Sequence, residues 1–223
     1  MLFRSMPLPA VLDNRDAMAK HLLVLKQDGN SCTGHAVATV INTVLSQSFG
    51  QRMKRSKSKT LQPVKVSAYM LYRLARRYDE FQGEADTGSS LRAAFKGWFH
   101  HGVLEEAAWS TLKLDAEPDL SDSDVLAQCR QRPLGAFYRV NPYRLDDMQS
   151  AINELHVIAV SAAVHEGWND PVVVQKGSEQ LRIIQRAAGQ RIGQQAAPCA
   201  ATSYCPPPFL ANDSMAYRAS SCC

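Results

Sequence analysis

The feature that most constrains the fold is a change in the spacing of apolar residues near Pro133. Before this point, apolar side chains recur every three or four residues, which is the period of amphipathic helices. After it, aromatic and β-branched runs such as LGAFYRV, VIAVSAAV and PVVVQ are typical of strands. A helical half followed by a strand-rich half predicts an α+β protein.

Helix boundaries in the first half follow from capping and turn residues. The first helix is predicted to begin at Cys32 and to stop at Gly50. The basic run that follows, at 51–59, is then a solvated loop, with contact to an anionic partner as the alternative. Pro63 is a start signal for a second helix, and Gly102 can end a third. Further helical patterns lie at 125–129 and 143–155.

Composition excludes several classes of function. Apolar residues make up 45% and charged residues 21% of the 223 residues, as in ordinary soluble globular proteins. The net charge of +4 is too mild for an obligate nucleic-acid binder. No segment is long and apolar enough to span a membrane, and no secretory signal is seen, so a cytoplasmic location is the default expectation. These numbers leave the oligomeric state open.

The last part of the sequence has a different character. Beyond Ile184 no apolar period is sustained, and we expect loop or disorder at 185–223. Four of the six cysteines crowd into this segment without a histidine and without C-x-x-C spacing, which argues against a zinc site. We expect neither a metal nor a cofactor.

Cys32 poses the main functional question, because it stands between a turn and a helix. The preceding Gln-Asp-Gly-Asn-Ser has turn chemistry, and Asn30 or Ser31 can accept the free amide protons of the first helical turn. A thiol at the positive end of a helix has a lowered pKa and is more readily ionised. The alternative is an inert cysteine packed in the core.

Four blocks of the sequence resemble the papain-like cysteine peptidases, in the bacterial form that carries a Cys-Thr-Gly motif. They follow the family order over roughly residues 7–184 and read LPAVLDNRD, QDGNSCTGHA, VSAYMLYRLARRYDE…TGSSLRAAFKGWFHHGV and FYRVNPYRLDDMQSAINELHVIAVSAAVHEGW. The resemblance implies a helical domain at 7–132, then an incomplete β-barrel domain at 133–184 and the irregular segment at 185–223.

The resemblance also implies the chemistry of a site. Cys32 would attack a peptide carbonyl as a thiolate and form a thioester acyl-enzyme with a polypeptide substrate. Gln27 would help to hold the oxyanion, although it stands five residues before the cysteine, where the family has six. Gly88, Ser89 and Ser90 would pair with the substrate backbone.

The base that this chemistry requires is not where the family has it. All six histidines lie at or before His165, whereas the family histidine follows the VIAVSAAVHEGW strand, and the Asn-Ser-Trp motif is also absent. His35 and His165 are the alternatives, since His35 lies one helical turn from Cys32 and His165 ends a predicted strand. Without a base we expect no efficient peptide cleavage.

Two hypotheses account for the missing residues. The first is a peptidase whose C-terminal third was altered, through a frameshift or an aberrant gene end between about Ile184 and Pro198. The second is a non-catalytic relative that binds peptides or a partner in the same cleft. Because no closing strands are predicted after Ile184, and open sheet edges promote aggregation, the sequence favours the first hypothesis.

Overall fold

The structure is a computed structural model that describes residues 13, 21, 25–27, 29–55, 64–80, 86, 88–109, 116–162, 172–173, 181–182, 199–201 and 211–218. In these ranges the chain forms helices first and strands mainly afterwards, as the apolar spacing predicts. The helices are α1 (Cys32–Arg55), α2 (Ala68–Tyr78), α3 (Leu91–His101), α4 (Ser123–Arg130) and α5 (Leu145–Leu155). The strands are β1 (Ala136–Val140), β2 (Ile158–Ala162), β3 (Val172–Val173), β4 (Leu181–Arg182), β5 (Cys199–Ala201) and β6 (Ala211–Arg218).

Helix α1 begins at Cys32, which confirms the predicted start, but it continues to Arg55. The predicted stop at Gly50 is therefore wrong. A glycine inside a helix costs only about 1 kcal/mol, and the Gln-Arg-Met-Lys-Arg that follows consists of good helix formers. The first five residues of the basic run are thus helical, and the rest of that run lies outside the described residues.

Helix α2 begins later than the proline signal indicates. Its N-cap is Ser67, whose hydroxyl accepts a hydrogen bond from the backbone amide of Met70 at 3.1 Å. Val66 is extended, because it pairs with Glu105 in an antiparallel bridge and donates its amide to Asn42 Oδ1 at 2.9 Å. The predicted start at Pro63 is therefore wrong, since these contacts keep Val66 out of the helix.

Helices α3 and α4 have ends that single residues define. Ser90 caps α3, with its hydroxyl accepting the amide of Ala93 at 3.2 Å. Gly102 ends that helix as predicted, and its amide donates to Trp98 O at 2.8 Å. Asp122 caps α4 by accepting two backbone amides. Helix α5 confirms the helical pattern at 143–155.

Among the described residues, the larger of two buried clusters joins α1, α2 and α3 to β2, and the smaller holds α5 against β1 and β2. Buried residues of α1, α2 and α3 pack together with residues next to and within β2. The fully buried residues with the largest side chains in this cluster are Trp98, Phe95, Met70, Leu71, Leu74, Val37 and Val40. Val157 and Ala159, which border and lie in β2, belong to the same cluster. The core thus holds the helix that carries Cys32 against the sheet.

The sheet has four antiparallel strands in the order β1-β6-β2-β5, and β3 pairs with β4 in a separate two-stranded ladder. Strand β6 lies between β1 and β2, with Ala216 opposite both Tyr138 and Ile158. The expectation of an irregular segment after Ile184 is therefore wrong for β5 and β6. Their sequences show little apolar alternation, but backbone ladders to paired neighbours can form without it.

Candidate active site around Cys32

Cys32 is partly exposed at the first position of α1. It follows a tight turn in which Gly29 has φ +59° and Asn30 is exposed. The thiol of Cys32 donates to the carbonyl of Asn30 at 3.8 Å. A partly exposed sulfur at a helix N-terminus is positioned as a nucleophile requires.

The two residues after Cys32 fix where the sulfur lies. Thr33 is buried, and its hydroxyl shares a hydrogen bond with the hydroxyl of Ser89. A Cβ atom at Gly34 would lie 2.2 Å from Ala68 O and 2.7 Å from the amide of Tyr72. Gly34 therefore lets α1 and α2 touch backbone to backbone, so each residue of Cys-Thr-Gly has a separate structural role.

The predicted substrate-binding residues lie beside the turn that carries Cys32. The side-chain amide of Asn30 donates to Asp86 O at 2.7 Å, and Ser89 bonds to Thr33. Gly88 has φ +93°, a conformation that residues with side chains rarely adopt. The structure therefore brings Cys32 together with residues 86 and 88–90, and segment 86–90 is used below for these described residues.

Helix α2 holds the other side of segment 86–90. The hydroxyl of Tyr72 donates to Asp86 Oδ1, which also accepts the amide of Gly88 at 3.3 Å. Burial raises the pKa of Tyr72 well above its usual range, and the bond to Asp86 raises it further. Tyr72 therefore keeps its proton and acts as a donor.

Gln27 lies near Cys32 along the chain, but its side chain has a local partner. Its Nε2 donates to Gly29 O at 2.9 Å, which braces the turn before α1. The other hydrogen of this Nε2 can still donate elsewhere. Gln27 also borders a cavity of about 480 Å³ whose walls are Leu25, Lys26, Gln27, His35, Val66, Ser67, Ala68, Tyr69 and Glu106. Its role toward an oxyanion stays a prediction.

Of the two histidines named as alternative bases, the structure describes His35 and not His165. His35 is 3% exposed, and its Nδ1 lies 2.9 Å from Ser31 O. A carbonyl can only accept, so Nδ1 carries a proton there. The imidazole also meets the ring of Tyr69 edge-on, with centroids 5.0 Å apart. His165 lies outside the described residues.

Cys129 provides a contrast with Cys32. It is 0% exposed at the end of α4, and burial raises the pKa of its thiol to about 11. A protonated, enclosed thiol is a poor nucleophile. Within the described part of the chain, Cys129 has the packing of an inert core cysteine, and Cys32 does not.

Over the described ranges, no three His, Cys, Asp or Glu side chains come together in a way that could hold a metal ion. None of the helices found there is both long and apolar enough to cross a membrane.

No protein-family model and no curated protein sequence matches the chain. Solved structures do match. Xylellain, a cysteine protease from Xylella fastidiosa, superposes with a TM-score of 0.56 at 14% identity, over 78% of this chain and 66% of that one. Digestive procathepsin L 3 of the Tenebrio molitor larval midgut gives 0.52 at 18% identity, over 76% of this chain and 50% of that one.

The fold is that of papain-like cysteine proteases. Identities this low support the fold and nothing finer. The chain spans about half the length of the procathepsin and 66% of xylellain. The papain-like fold agrees with the predicted α+β class, and Cys32 lies in it at the start of the long helix α1.

Sequence reasoning missed the polar residues that surround this site. Asn30 was considered only as a helix cap, and it instead donates to Asp86 O. Tyr72, Arg76 and Asp79, which the apolar pattern does not single out, all bond to segment 86–90. Their spacing of four and three residues is the available signal, because it places them on one face of α2.

Proposed function

We propose that this chain is a papain-like cysteine peptidase in which Cys32 is the nucleophile. The observation that carries the proposal is the pairing of a partly exposed Cys32, at the start of α1, with Asp86 and Ser89, which are bonded to the residues on either side of it. A nucleophile beside chain that is held in place by hydrogen bonds suits a polypeptide substrate that must be aligned along it. The papain-like fold supports the same conclusion.

The reaction proposed is acyl transfer through a thioester. The thiolate of Cys32 attacks the peptide carbonyl, a carbon–sulfur bond forms, and the amine leaves with a proton. Water then hydrolyses the thioester, which releases the acid and restores the thiol. Gln27 and backbone amides at the start of α1 hold the oxyanion, and Gly88, Ser89 and Ser90 bind the substrate backbone.

The proposal includes inefficient turnover, because these 223 residues contain no histidine after His165. His35 is a poor base, because its ring is 3% exposed and lies buried against Tyr69. His165 remains a candidate. Without a base to take and return the proton, a thiolate reacts with strong electrophiles but cleaves amides slowly.

The finer assignments belong to the same proposal. The Cys-Thr-Gly motif points to the bacterial form of the family, and the domains are set at 7–132, 133–184 and 185–223. An altered reading frame after Ile184 explains the missing histidine and Asn-Ser-Trp motif. Sequencing the gene over residues 180–223 tests this, and a sequence without a family-like strand in either alternative frame would contradict it.

A second function, a non-catalytic protein that binds peptides or a partner, is favoured by a different observation. Strand β6 lies between β1 and β2 and β5 extends the sheet at its edge, both in the segment where no closing strands were predicted. A sheet that includes these strands weakens the argument for a damaged gene end. A binding protein would retain the segment beside Cys32 and dispense with the base.

Covalent labelling tests the first proposal directly. We expect a peptidyl chloromethyl ketone to modify wild-type protein at Cys32 with saturating kinetics, and the Cys32→Ser variant to stay unmodified. The Cys129→Ser variant should behave like wild type, because that thiol is enclosed. Labelling that does not saturate, at a rate no greater than that of iodoacetamide, would contradict a peptide-binding cleft.

Hydrolysis of an unstructured protein substrate separates the two functions. Slow cleavage that depends on Cys32 supports a peptidase with an impaired base. Rapid Cys32-dependent cleavage would show that an efficient base is present. Peptide binding that survives in Cys32→Ser, with no cleavage by wild type, would support the non-catalytic function instead.

A further inference from the structure

Three side chains on one face of α2 hold alternate residues of segment 86–90. They stand at positions i, i+4 and i+7 of the helix, which share a face. The bonds are Tyr72 Oη to Asp86 Oδ1, Arg76 Nη1 to Gly88 O at 2.7 Å, and Ser90 N to Asp79 Oδ2 at 3.2 Å. We call these three residues of α2 and its C-cap the clamp.

The three bonds reach three separate residues of the segment. Tyr72 holds a side-chain oxygen of Asp86, Arg76 holds the carbonyl of Gly88, and Asp79 holds the amide of Ser90. Because the three partners follow one another along α2 in the same order as along the segment, the bonds together fix both the position and the direction of these residues against the helix.

The clamp is mostly protected from water. Tyr72 is 2% exposed and Asp79 is 5% exposed. A buried carboxylate that accepts a backbone amide, and a buried hydroxyl that donates to a carboxylate, are costly to leave unpaired. The guanidinium of Arg76 donates to the carbonyl of Gly88, which lies between Asp86 and Ser90 along the chain. The clamp is therefore a specific arrangement and cannot be exchanged freely for apolar packing.

The opposite side of the segment meets the turn that carries the nucleophile. Asn30 donates its side-chain amide to Asp86 O, and its own carbonyl accepts the thiol of Cys32. Thr33, the next residue after Cys32, bonds to Ser89. A continuous set of hydrogen bonds thus runs from the clamp through segment 86–90 to the turn around the sulfur.

We propose that Tyr72, Arg76 and Asp79 are positioning residues that set the distance between the peptide-binding segment 86–90 and Cys32. The inference rests on the proposed function, in which that segment binds the substrate backbone, and it goes further by assigning a role to α2. A peptide aligned by the segment reaches the sulfur in the reactive position only while the clamp holds. A small electrophile that does not touch the segment reacts with Cys32 at the same rate whether or not the clamp is intact.

Two electrophiles measure this difference. Both a peptidyl chloromethyl ketone and iodoacetamide form a carbon–sulfur bond to Cys32 as the halide leaves, but only the first can lie along the segment. For Tyr72→Phe we expect the rate constant for the peptidyl reagent to fall about tenfold, as the loss of one buried hydrogen bond allows. The rate with iodoacetamide should stay within about twofold of wild type, because the sulfur keeps its place at the helix start.

The matched control is Tyr78→Phe, which removes the same atom from the same helix. The hydroxyl of Tyr78 bonds to His101 Nε2 at 2.6 Å, away from segment 86–90. This variant should leave both rates unchanged. Equal losses in Tyr72→Phe and Tyr78→Phe, or equal losses with both reagents, would show general loosening of α2 and overturn the inference.

A conservative pair at Arg76 gives a second measurement. Arg76→Lys keeps a donor for Gly88 O and should retain most of the peptidyl rate, whereas Arg76→Met keeps only the stem and should lose it. Peptidyl rates in Tyr72→Phe and Arg76→Met equal to wild type would overturn the clamp while leaving the proposed function intact. If wild type itself shows no saturation by the peptidyl reagent, the proposed function fails, and the clamp as a device for peptide alignment fails with it.

Discussion

The helical region around Cys32 and the sheet at 136–218 are held together in different ways. Around Cys32, named side chains make the decisive contacts, such as Asn30 to Asp86 and Thr33 to Ser89. In the sheet, β6 is joined to β1 and β2 by a backbone ladder. Side-chain contacts depend on residue identity at each position, whereas a ladder depends mainly on strand pairing. The two regions should therefore respond differently to substitution.

The largest effect is expected at Gly34, where identity matters most. Gly34→Ala would bring a Cβ within 2.2 Å of Ala68 O, and backbone cannot move aside as a side chain can. We expect the free energy of unfolding to fall by about 3 kcal/mol or more, at the upper end for overpacked sites. Chemical denaturation measures the change. A variant as stable as wild type would show that α1 and α2 do not touch there.

The control for this change is Gly29→Asn, five residues earlier. A Cβ at Gly29 would meet nothing within 4 Å, and its φ of +59° is a conformation that asparagine tolerates. The cost should therefore stay below about 1 kcal/mol. If Gly29→Asn lowered the free energy of unfolding as much as Gly34→Ala, this part of the chain would be sensitive to any replacement of glycine. The effect at Gly34 could then not be attributed to the close approach of α1 and α2.

Much of the helical region could be predicted because single residues decide its helix ends. Cys32 after a Gly-Asn-Ser turn and Gly102 after an apolar period are local signals, and both ends are confirmed. Gly50 and Pro63 are local signals of the same kind, but the helix formers after Gly50 overrule the first and the tertiary contacts of Val66 overrule the second. The sheet partner β6 could not be predicted, because its sequence ANDSMAYR lacks alternation and its neighbours lie far along the chain.

The second largest effect concerns the reactivity of the partly exposed Cys32 and the buried Cys129. Burial holds the pKa of Cys129 at about 11, two units above the ordinary value of 9.0, which alone lowers its thiolate fraction at neutral pH about a hundredfold. Enclosure lowers its reactivity further. We expect iodoacetamide to label Cys32 at least about a hundredfold faster than Cys129, as mapped by mass spectrometry after short exposure. Faster labelling of Cys129 would contradict the assignment of the nucleophile.

A substitution in β6 tests whether the sheet depends on the backbone ladders that join its strands. Ala216→Pro removes a backbone donor from a strand with neighbours on both sides, and should cost about 1 to 3 kcal/mol. Hydrogen exchange should become faster in β1 and β2, while the iodoacetamide rate at Cys32 stays unchanged. The matched control is Ala200→Pro in β5, which among the described strands pairs with β2 alone and should cost less.

Unchanged protection of β1 and β2 in Ala216→Pro would contradict the central place of β6. It would also restore the argument for an altered C-terminal third, since the sheet would then lack its closing strands.

The clamp on α2, like the pairing of β6, could not be predicted from the sequence, because it depends on a partner segment that is placed by the fold. Tyr72, Arg76 and Asp79 resemble the ordinary polar residues of a helix until segment 86–90 is placed against them.

The smallest effect expected is a dependence of stability on pH that originates in the helical region. Burial lowers the pKa of His101 below its ordinary value of 6.5, and the positive charges of Arg77, His100 and Arg130 lower it further. Tyr78 lies 2.6 Å from His101 Nε2, and its hydroxyl can donate to that nitrogen only while the imidazole is neutral. As the pH falls below 6.5, His101 binds a proton in the unfolded chain but not yet in the folded chain, so stability decreases with acid down to the folded pKa.

We expect the Tm to fall between about pH 7.5 and 5.5, and His101→Gln to reduce that fall. The exposed His156, after α5, provides the control, since His156→Asn should keep the acid sensitivity of wild type. If the dependence of the Tm on pH persisted in His101→Gln and disappeared in His156→Asn, it would not originate at His101, and this prediction would be wrong.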